Sequence, residues 1–359
     1  MLSVSSPLYD VNKTFEENFN NPLFPSIKLP IRNWPEKKHW ISLLGYSVAS
    51  NIGVAACAVT TGKGIAFLSQ LGFDVLTYKT IRRKAYPTHP LPNIVYLECE
   101  KLFNYADLKD IIFTKDKIDK INDKLAISNS FGNGCLEPSV ILEDIALAKY
   151  SLMKGQILIV SVYGEGDSIS SISQDFVAAA LMAKEAGADV IELNFSCPNL
   201  MKSGEPLYWS IEHVSQITTF VVKRLGNIPI LLKFGLMDQI ESPVKLLISA
   251  ARAGARGISA INSVSMRVLN KNHAPAFGKR IYSGVSGYPI RQLALECVKK
   301  LVQINQTERL NLTILGMGGV TIPEHFNEFL DSGADVALSA TGVMWNPYLA
   351  SQFHQQMRS

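Results

Sequence analysis

Ala186-Gly187-Ala188-Asp189-Val190-Ile191 decides the fold, because the same connection recurs as Leu71-Gly72-Phe73-Asp74-Val75-Leu76, Ala253-Gly254-Ala255-Arg256-Gly257-Ile258 and Ser332-Gly333-Ala334-Asp335-Val336-Ala337. Each is a helix end that runs through a glycine into an apolar stretch. A glycine just past a helix adopts the left-handed conformation without a Cβ penalty, and a near-continuous apolar run suits a strand buried on both faces. Four copies predict repeated helix-to-strand units.

Apolar runs bounded by turn signals occupy 51–57, 75–80, 156–163, 190–195, 229–234, 257–262, 313–316 and 336–340. Most are followed by a helical pattern. In 174–186, for example, Phe176, Val177, Ala180 and Leu181 form one stripe. Repeated β-then-α order implies parallel strands, and eight such units predict an α/β fold of the closed (β/α)8 TIM-barrel kind, with the open doubly wound sheet as its alternative. A further run, 125–130, leads straight into Asn129-Ser130-Phe131-Gly132-Asn133-Gly134 and reads as an inserted loop segment over the C-terminal face. Residues 1–43, with Pro22, Pro25, Pro30 and Pro35 and a short helical piece at 14–19, read as an N-terminal extension packed on a barrel of residues 44–359. That extension needs no role beyond covering surface.

Composition narrows the class. The 359 residues are 47% hydrophobic and 18% charged with a net charge of +4, which suits a large buried core and gives nucleic-acid binding little support. No apolar run approaches the ~18 residues needed to span a bilayer, and Met1–Ser6 contains no basic residue ahead of an apolar run, so a cytoplasmic protein without membrane contact is expected. The five cysteines at 57, 99, 135, 197 and 297 include no C-x-x-C pair, so neither a metal site nor an iron–sulfur cluster is expected.

In a barrel the chemistry sits where the strands end, and these ends are polar. They present Lys79 and Thr80, then Asn194, Ser196, Cys197 and Asn199, then Lys233, then Asn262 and Ser263. Any one of them could cap backbone or reach solvent. The group as a whole points to a site. A second group is glycine-rich: Ser283-Gly284-Val285-Ser286-Gly287 precedes a helical pattern at 289–302, Gly316-Met317-Gly318-Gly319-Val320 follows the seventh run, and Ala340-Thr341-Gly342 ends the eighth. Adjacent glycines let backbone N–H groups approach a phosphate, which barrels often hold near their last two strands.

Asn194-Phe195-Ser196-Cys197-Pro198-Asn199 resembles the N-x-S-C-P-N motif of class 1 dihydroorotate dehydrogenases, and Thr77-Tyr78-Lys79-Thr80 resembles their second-strand T-x-K-T. The similarity runs from about 44 to 348 and extends to the related barrel of dihydropyrimidine dehydrogenase. It implies FMN as cofactor, with Ala55, Ala56, Thr80, Asn194 and Ile261 against it, Lys79 touching both ring and substrate, and Lys233 on the N1 side. Ser283, Gly284, Gly318, Gly319, Ala340 and Thr341 would hold the ribityl phosphate. Asn129, Phe131, Gly132, Asn133, Asn199, Asn262 and Ser263 would frame the pyrimidine. Cys197 would take the C5 proton of dihydroorotate while C6 passes hydride to the flavin, with Lys79 assisting.

Two departures from the family pattern stand out. Cys57 replaces a common glycine, which would bring its thiol near the phosphate side of the flavin, and the loop 200–208 does not copy the usual active-site loop. The resemblance implies oxidation of dihydroorotate to orotate in pyrimidine synthesis by a homodimer. Electrons would pass on to fumarate, or to NAD through a partner subunit carrying FAD and an iron–sulfur cluster. The alternatives are reduction of uracil or thymine and a barrel that binds a phosphate ligand without redox chemistry. Phe131 stands two residues after Asn129, where the uracil-reducing family has an acid, which favours orotate.

Overall fold

The computed structural model describes residues 7–24, 29, 32, 34–117, 123–196 and 206–357. Strands and helices alternate as β1 (Ile52–Val54), α1 (Gly62–Ser69), β2 (Val75–Ile81), α2 (Pro138–Tyr150), β3 (Ile157–Val162), α3 (Ile169–Glu185), β4 (Val190–Asn194) and α4 (Ile211–Leu225). The second half runs β5 (Ile230–Phe234), α5 (Pro243–Arg252), β6 (Gly257–Ala260), α6 (Arg291–Thr307), β7 (Thr313–Met317), α7 (Glu324–Asp331), β8 (Val336–Ser339) and α8 (Leu349–Gln356). All neighbours pair in parallel, and β8 pairs with β1, which closes the barrel and excludes the open sheet.

The recurrent glycines work as their sequence context implies. Gly72, Gly187, Gly254 and Gly333 have φ of 101°, 105°, 97° and 91°. The aspartate two residues on explains more of the repeat. Asp189 accepts the Leu158 N–H at 2.8 Å and Asp335 accepts the Ile314 N–H at 2.7 Å, so each carboxylate caps the start of the preceding strand. Asp74 instead takes Arg32 of the extension through both oxygens at 2.6 Å.

Side chains alternate along a strand, so every second residue faces the barrel axis. The inward series change from apolar to polar toward the strand C-termini: Val75, Thr77, Lys79; Ile157, Ile159, Ser161; Val190, Glu192, Asn194; and Leu231, Lys233. Below, Leu43 and Val48 of an antiparallel hairpin, Ile41–Leu43 with Tyr46–Val48, join the same apolar cluster and close the N-terminal end. This hairpin straddles position 43, where extension and barrel were expected to divide.

The segment 125–130 differs from its expected role. It forms a strand, Ala126–Asn129, of a second closed sheet with Ile94–Leu97, Ile111–Lys115, Val264–Leu269 and Tyr282–Gly287. Three of these strands come from the β2–α2 connection and two from β6–α6, so the small sheet stands on the C-terminal face. Its cross-strand partners lie up to 161 residues apart, as Gly287 is from Ala126, a pairing that no local pattern announces. Among the described residues no helix is long and apolar enough to cross a membrane.

Candidate active site

At the C-terminal face the polar strand ends join into one hydrogen-bonded chain. Ser161 Oγ and Thr80 Oγ1 lie 3.0 Å apart, Asn194 Nδ2 donates to Thr80 Oγ1 at 3.1 Å, and Ser196 Oγ donates to Asn194 Oδ1 at 2.7 Å. Asn262 Nδ2 then donates to Ser196 Oγ, and the Ser263 N–H to Asn262 Oδ1 at 2.9 Å. Residues from β2, β3, β4 and the end of β6 are thereby tied together. Cys197 and Asn199 lie outside the described residues, as does most of the loop expected at 200–208.

Two lysines bracket this chain. Lys79 Nζ donates to the Gly134 carbonyl at 2.6 Å and stands 4.5 Å over the Phe15 ring. Lys233, 3% exposed, pairs with Glu192, 1% exposed, at 3.8 Å. That separation exceeds a hydrogen bond. Glu192 Oε1, Thr77 Oγ1 and Ser259 Oγ are all buried without a hydrogen-bond partner among the described residues. Buried polar atoms are normally satisfied. An unsatisfied polar layer below the strand ends therefore suits a polar ligand above it.

The described residues expected to frame the substrate gather where the small sheet meets the barrel. Asn129 Nδ2 donates to the Gly284 carbonyl at 3.3 Å, and a Cβ on Gly284 would lie 2.3 Å from Ser263 Oγ. Gly132 and Asn133, with φ of 71° and 53°, carry the chain around the rim, and a Cβ on Gly132 would strike the His89 ring. Burial and Arg280 lower the pKa of His89, so its Nδ1 accepts from Arg280 Nη1 at 2.8 Å.

The glycine group divides. Gly318 and Gly319 have φ of 130° and 84°, and a Cβ on Gly319 would lie 2.8 Å from the Gly287 carbonyl oxygen and 2.7 Å from Arg291 Cβ. The N–H groups of Gly318 and Gly319 donate to no described residue. Thr341 opens the helix Thr341–Trp345, and its Oγ1 bonds Ser286 Oγ at 3.1 Å. Ile261 packs on Gly318, while Ala55 and Ala340 meet at the barrel's inner cluster. Ala56, partly buried, follows Ala55.

Ser283 and Gly284 are not part of this cradle. They are four and three residues back from Gly287 along the strand Tyr282–Gly287, roughly 13 and 10 Å away at ~3.3 Å per residue. Ser283 Oγ instead receives a hydrogen bond from Ser128 Oγ at 2.8 Å. The member of this glycine-rich run that lies against Gly319 is Gly287 (φ 89°), at the end next to the following helix and not among the residues expected to hold the phosphate. Burial pushes the Cys57 thiol up to about 11, with the Val59 backbone and Lys233 opposing.

The N-terminal extension reaches this same face. Tyr9 stacks edge-on to Phe131 with ring centroids 5.9 Å apart, Thr88 Oγ1 donates to Glu16 at 2.7 Å, and Phe15 lies under Lys79. The short helix Phe15–Asn20 that carries Phe15 and Glu16 is held by a Thr14–Glu17 capping box.

A sequence model of the family described as dihydroorotate dehydrogenase matches residues 41–359. The chain is 39% identical over 365 residues to the dihydroorotate dehydrogenase of Dictyostelium discoideum, covering 99% of each. It is 30% identical over 181 residues to the catalytic subunit of dihydroorotate dehydrogenase B (NAD(+)) of Oceanobacillus iheyensis, covering 50% of this chain and 57% of that one. Among solved structures, the dihydroorotate dehydrogenase of Eimeria tenella in complex with ferulenol superposes with a TM-score of 0.69 at 16% identity, covering 92% of this chain and 86% of that one.

Proposed function

The chain belongs to the dihydroorotate dehydrogenase family, of the class 1 kind, and from that premise we propose how its residues divide the oxidation of dihydroorotate to orotate. The observation that carries the reading is the juxtaposition of two halves at one barrel mouth. On one side stand amides and hydroxyls linked from Ser161 to Ser263, and on the other the cradle of Gly287, Gly318, Gly319 and Thr341.

FMN, when bound, would accept the hydride from C6 of dihydroorotate. Gly318 and Gly319 N–H groups would hold its phosphate, with Gly287 leaving room for it. Ala55, Ala56, Thr80, Asn194, Ile261 and Ala340 would line the ring and ribityl chain. Lys233 would offer a buried cation to the ring's N1 side, where negative charge develops. Asn129, Asn262 and Ser263, with Asn199, would match the donors and acceptors of the pyrimidine edge, since each amide offers both. The N–H groups of Phe131, Gly132 and Asn133 would face the substrate's carboxylate, and Lys79 would add positive charge beside it. Cys197 would remove the C5 proton as thiolate.

As the physiological setting we propose a cytoplasmic homodimer acting in pyrimidine synthesis, with fumarate, or NAD through an FAD and iron–sulfur partner subunit, as electron acceptor. The decisive test is anaerobic mixing of the purified, FMN-loaded protein with dihydroorotate and with dihydrouracil. Bleaching of the flavin by dihydroorotate alone is the expected result. Bleaching by dihydrouracil alone would replace the substrate assigned here, and a protein that takes up no FMN would overturn the reading.

A further inference from the structure

The rim segment 130–135 has every one of its carbonyls engaged. Ser130 O accepts from Arg280 Nη1 at 2.8 Å, Phe131 O from the His89 N–H at 3.0 Å, and Gly132 O from Arg82 Nη2 at 3.3 Å. Asn133 O accepts from Arg82 Nε at 2.8 Å, Gly134 O from Lys79 Nζ at 2.6 Å, and Cys135 O from the Tyr86 N–H at 2.8 Å. In a trans peptide the C=O and the next N–H point in opposite directions. Each bound carbonyl therefore aims the N–H of its peptide away from the group that binds it. The N–H groups of Phe131, Gly132 and Gly134 donate to no described residue.

Both arginines are themselves fixed. Arg82, buried at 6% exposure, is paired with Glu165, and its guanidinium lies 3.8 Å from the Tyr86 ring centroid and 4.9 Å from that of Tyr163. Arg280 donates also to His89 Nδ1, to Ser130 Oγ at 2.8 Å and, through Nε, to the Phe277 carbonyl at 2.9 Å. A planar guanidinium with donors in a rigid fork holds two adjacent carbonyls in a pre-organised geometry that the rotatable ammonium of a lysine does not impose. Successive backbone N–H groups in such a turn form an anion-binding concavity.

We propose that Arg82, held by Glu165, and Arg280, held against His89, are positioning residues: they hold the carbonyls of Ser130, Gly132 and Asn133, beside the Phe131 carbonyl held by the His89 N–H, so that the N–H groups of this segment remain directed at the substrate's carboxylate. The inference rests on the reading that this rim receives the pyrimidine substrate. Neither arginine need touch the substrate. Their effect is on anion recognition, so it is separable from general damage to the fold by comparing a charged ligand with its neutral ester.

The experiment titrates FMN-loaded wild type, Arg82→Met, Arg82→Lys and Arg280→Met with orotate and with methyl orotate, following the flavin absorbance shift. Wild type is expected to prefer orotate. Each methionine variant should raise the orotate Kd by about tenfold, roughly 1.4 kcal/mol, while the ester Kd moves less than about threefold, so the preference collapses; Arg82→Lys should fall between. In turnover the change should appear in KM more than in kcat. If Arg82→Met does not accumulate, Glu165→Gln, with its side chain one-third exposed, takes its place and should give a smaller change of the same kind. A wild-type protein blind to orotate would sink the substrate assignment and this inference together. Variants that keep the wild-type preference, or lose both ligands equally, would overturn the positioning role alone.

Discussion

Lys233→Met removes the cation that faces Glu192 inside the barrel and leaves a carboxylate that is 1% exposed without a counter-charge. The two charges are 3.8 Å apart. At an effective dielectric of about 20 their attraction is on the order of 4 kcal/mol, and breaking a buried pair from one side typically costs about 3–5 kcal/mol. Replacing both partners is different, because no orphan charge is left and a well-packed apolar pair can be about neutral. We therefore expect urea unfolding to show Lys233→Met destabilised by about 3–5 kcal/mol and the double variant Lys233→Met/Glu192→Leu to recover more than half of that loss. Both variants should bind FMN poorly, since both lack the cation. Should the double variant be no more stable than Lys233→Met alone, the pair would not be coupled and the polar layer would need another explanation.

Four further outcomes follow from the site. Gly319→Ala places a Cβ at φ 84° within 2.7 Å of Arg291 Cβ, and titration of the apoprotein with FMN should show affinity lowered at least about tenfold, or about 1.4 kcal/mol. Burial and then Arg291 lower His325 to about 4, so the unfolded chain binds the extra proton first. Stability from His325 is full above about pH 6.5 and is lost as pH falls toward 4; on the order of 2–3 kcal/mol is at stake, and His325→Gln should flatten this limb in unfolding curves taken across that range. Phe15→Ala removes the ring under Lys79 and should raise the KM for dihydroorotate severalfold while FMN content stays constant, measured by steady-state assay and flavin absorbance. Cys197→Ala should keep FMN and lose most turnover, and an unchanged rate would exclude Cys197 as the base.

The parts of the fold that were legible in the sequence are those fixed by local physics. A glycine such as Gly187 needs only its own left-handed conformation to end a helix, and the apolar run behind it needs only to be buried. Seven of the eight barrel strands fall within about two residues of their expected spans for that reason, and the first, Ile52–Val54, ends three residues short of its expected 51–57. The small sheet was not legible in the same way. Ile94–Leu97 and Ile111–Lys115 are short and half-exposed, and their register depends on partners from distant connections. The site shows the same contrast. The polar strand ends announced themselves, whereas Gly287 and Ser283 share one glycine-rich run and differ only in which end of a strand they occupy. Glu192 could have been found by counting two residues back from Asn194 on the same face.

The inward polarity gradient and the rim contacts answer one physical problem. A barrel strand can place a charged or amide side chain at its last inward position, as β2 does with Lys79 and β4 with Asn194, because the layers beneath are apolar enough to hold the structure. A group so placed gains selectivity only if water is kept from it, and eight strand ends alone leave the mouth open. Here the cover comes from three segments far apart in sequence: Tyr9 and Phe15 of the extension, the rim at 130–135, and Arg280 of the β6–α6 connection. They converge on the end of β2, where Lys79 and Arg82 bind neighbouring carbonyls of the rim. The extension thus packs against the rim and Lys79 of the candidate site rather than covering surface alone. Changes in any of the three segments should be felt first in how the substrate is held, and in the barrel's stability last.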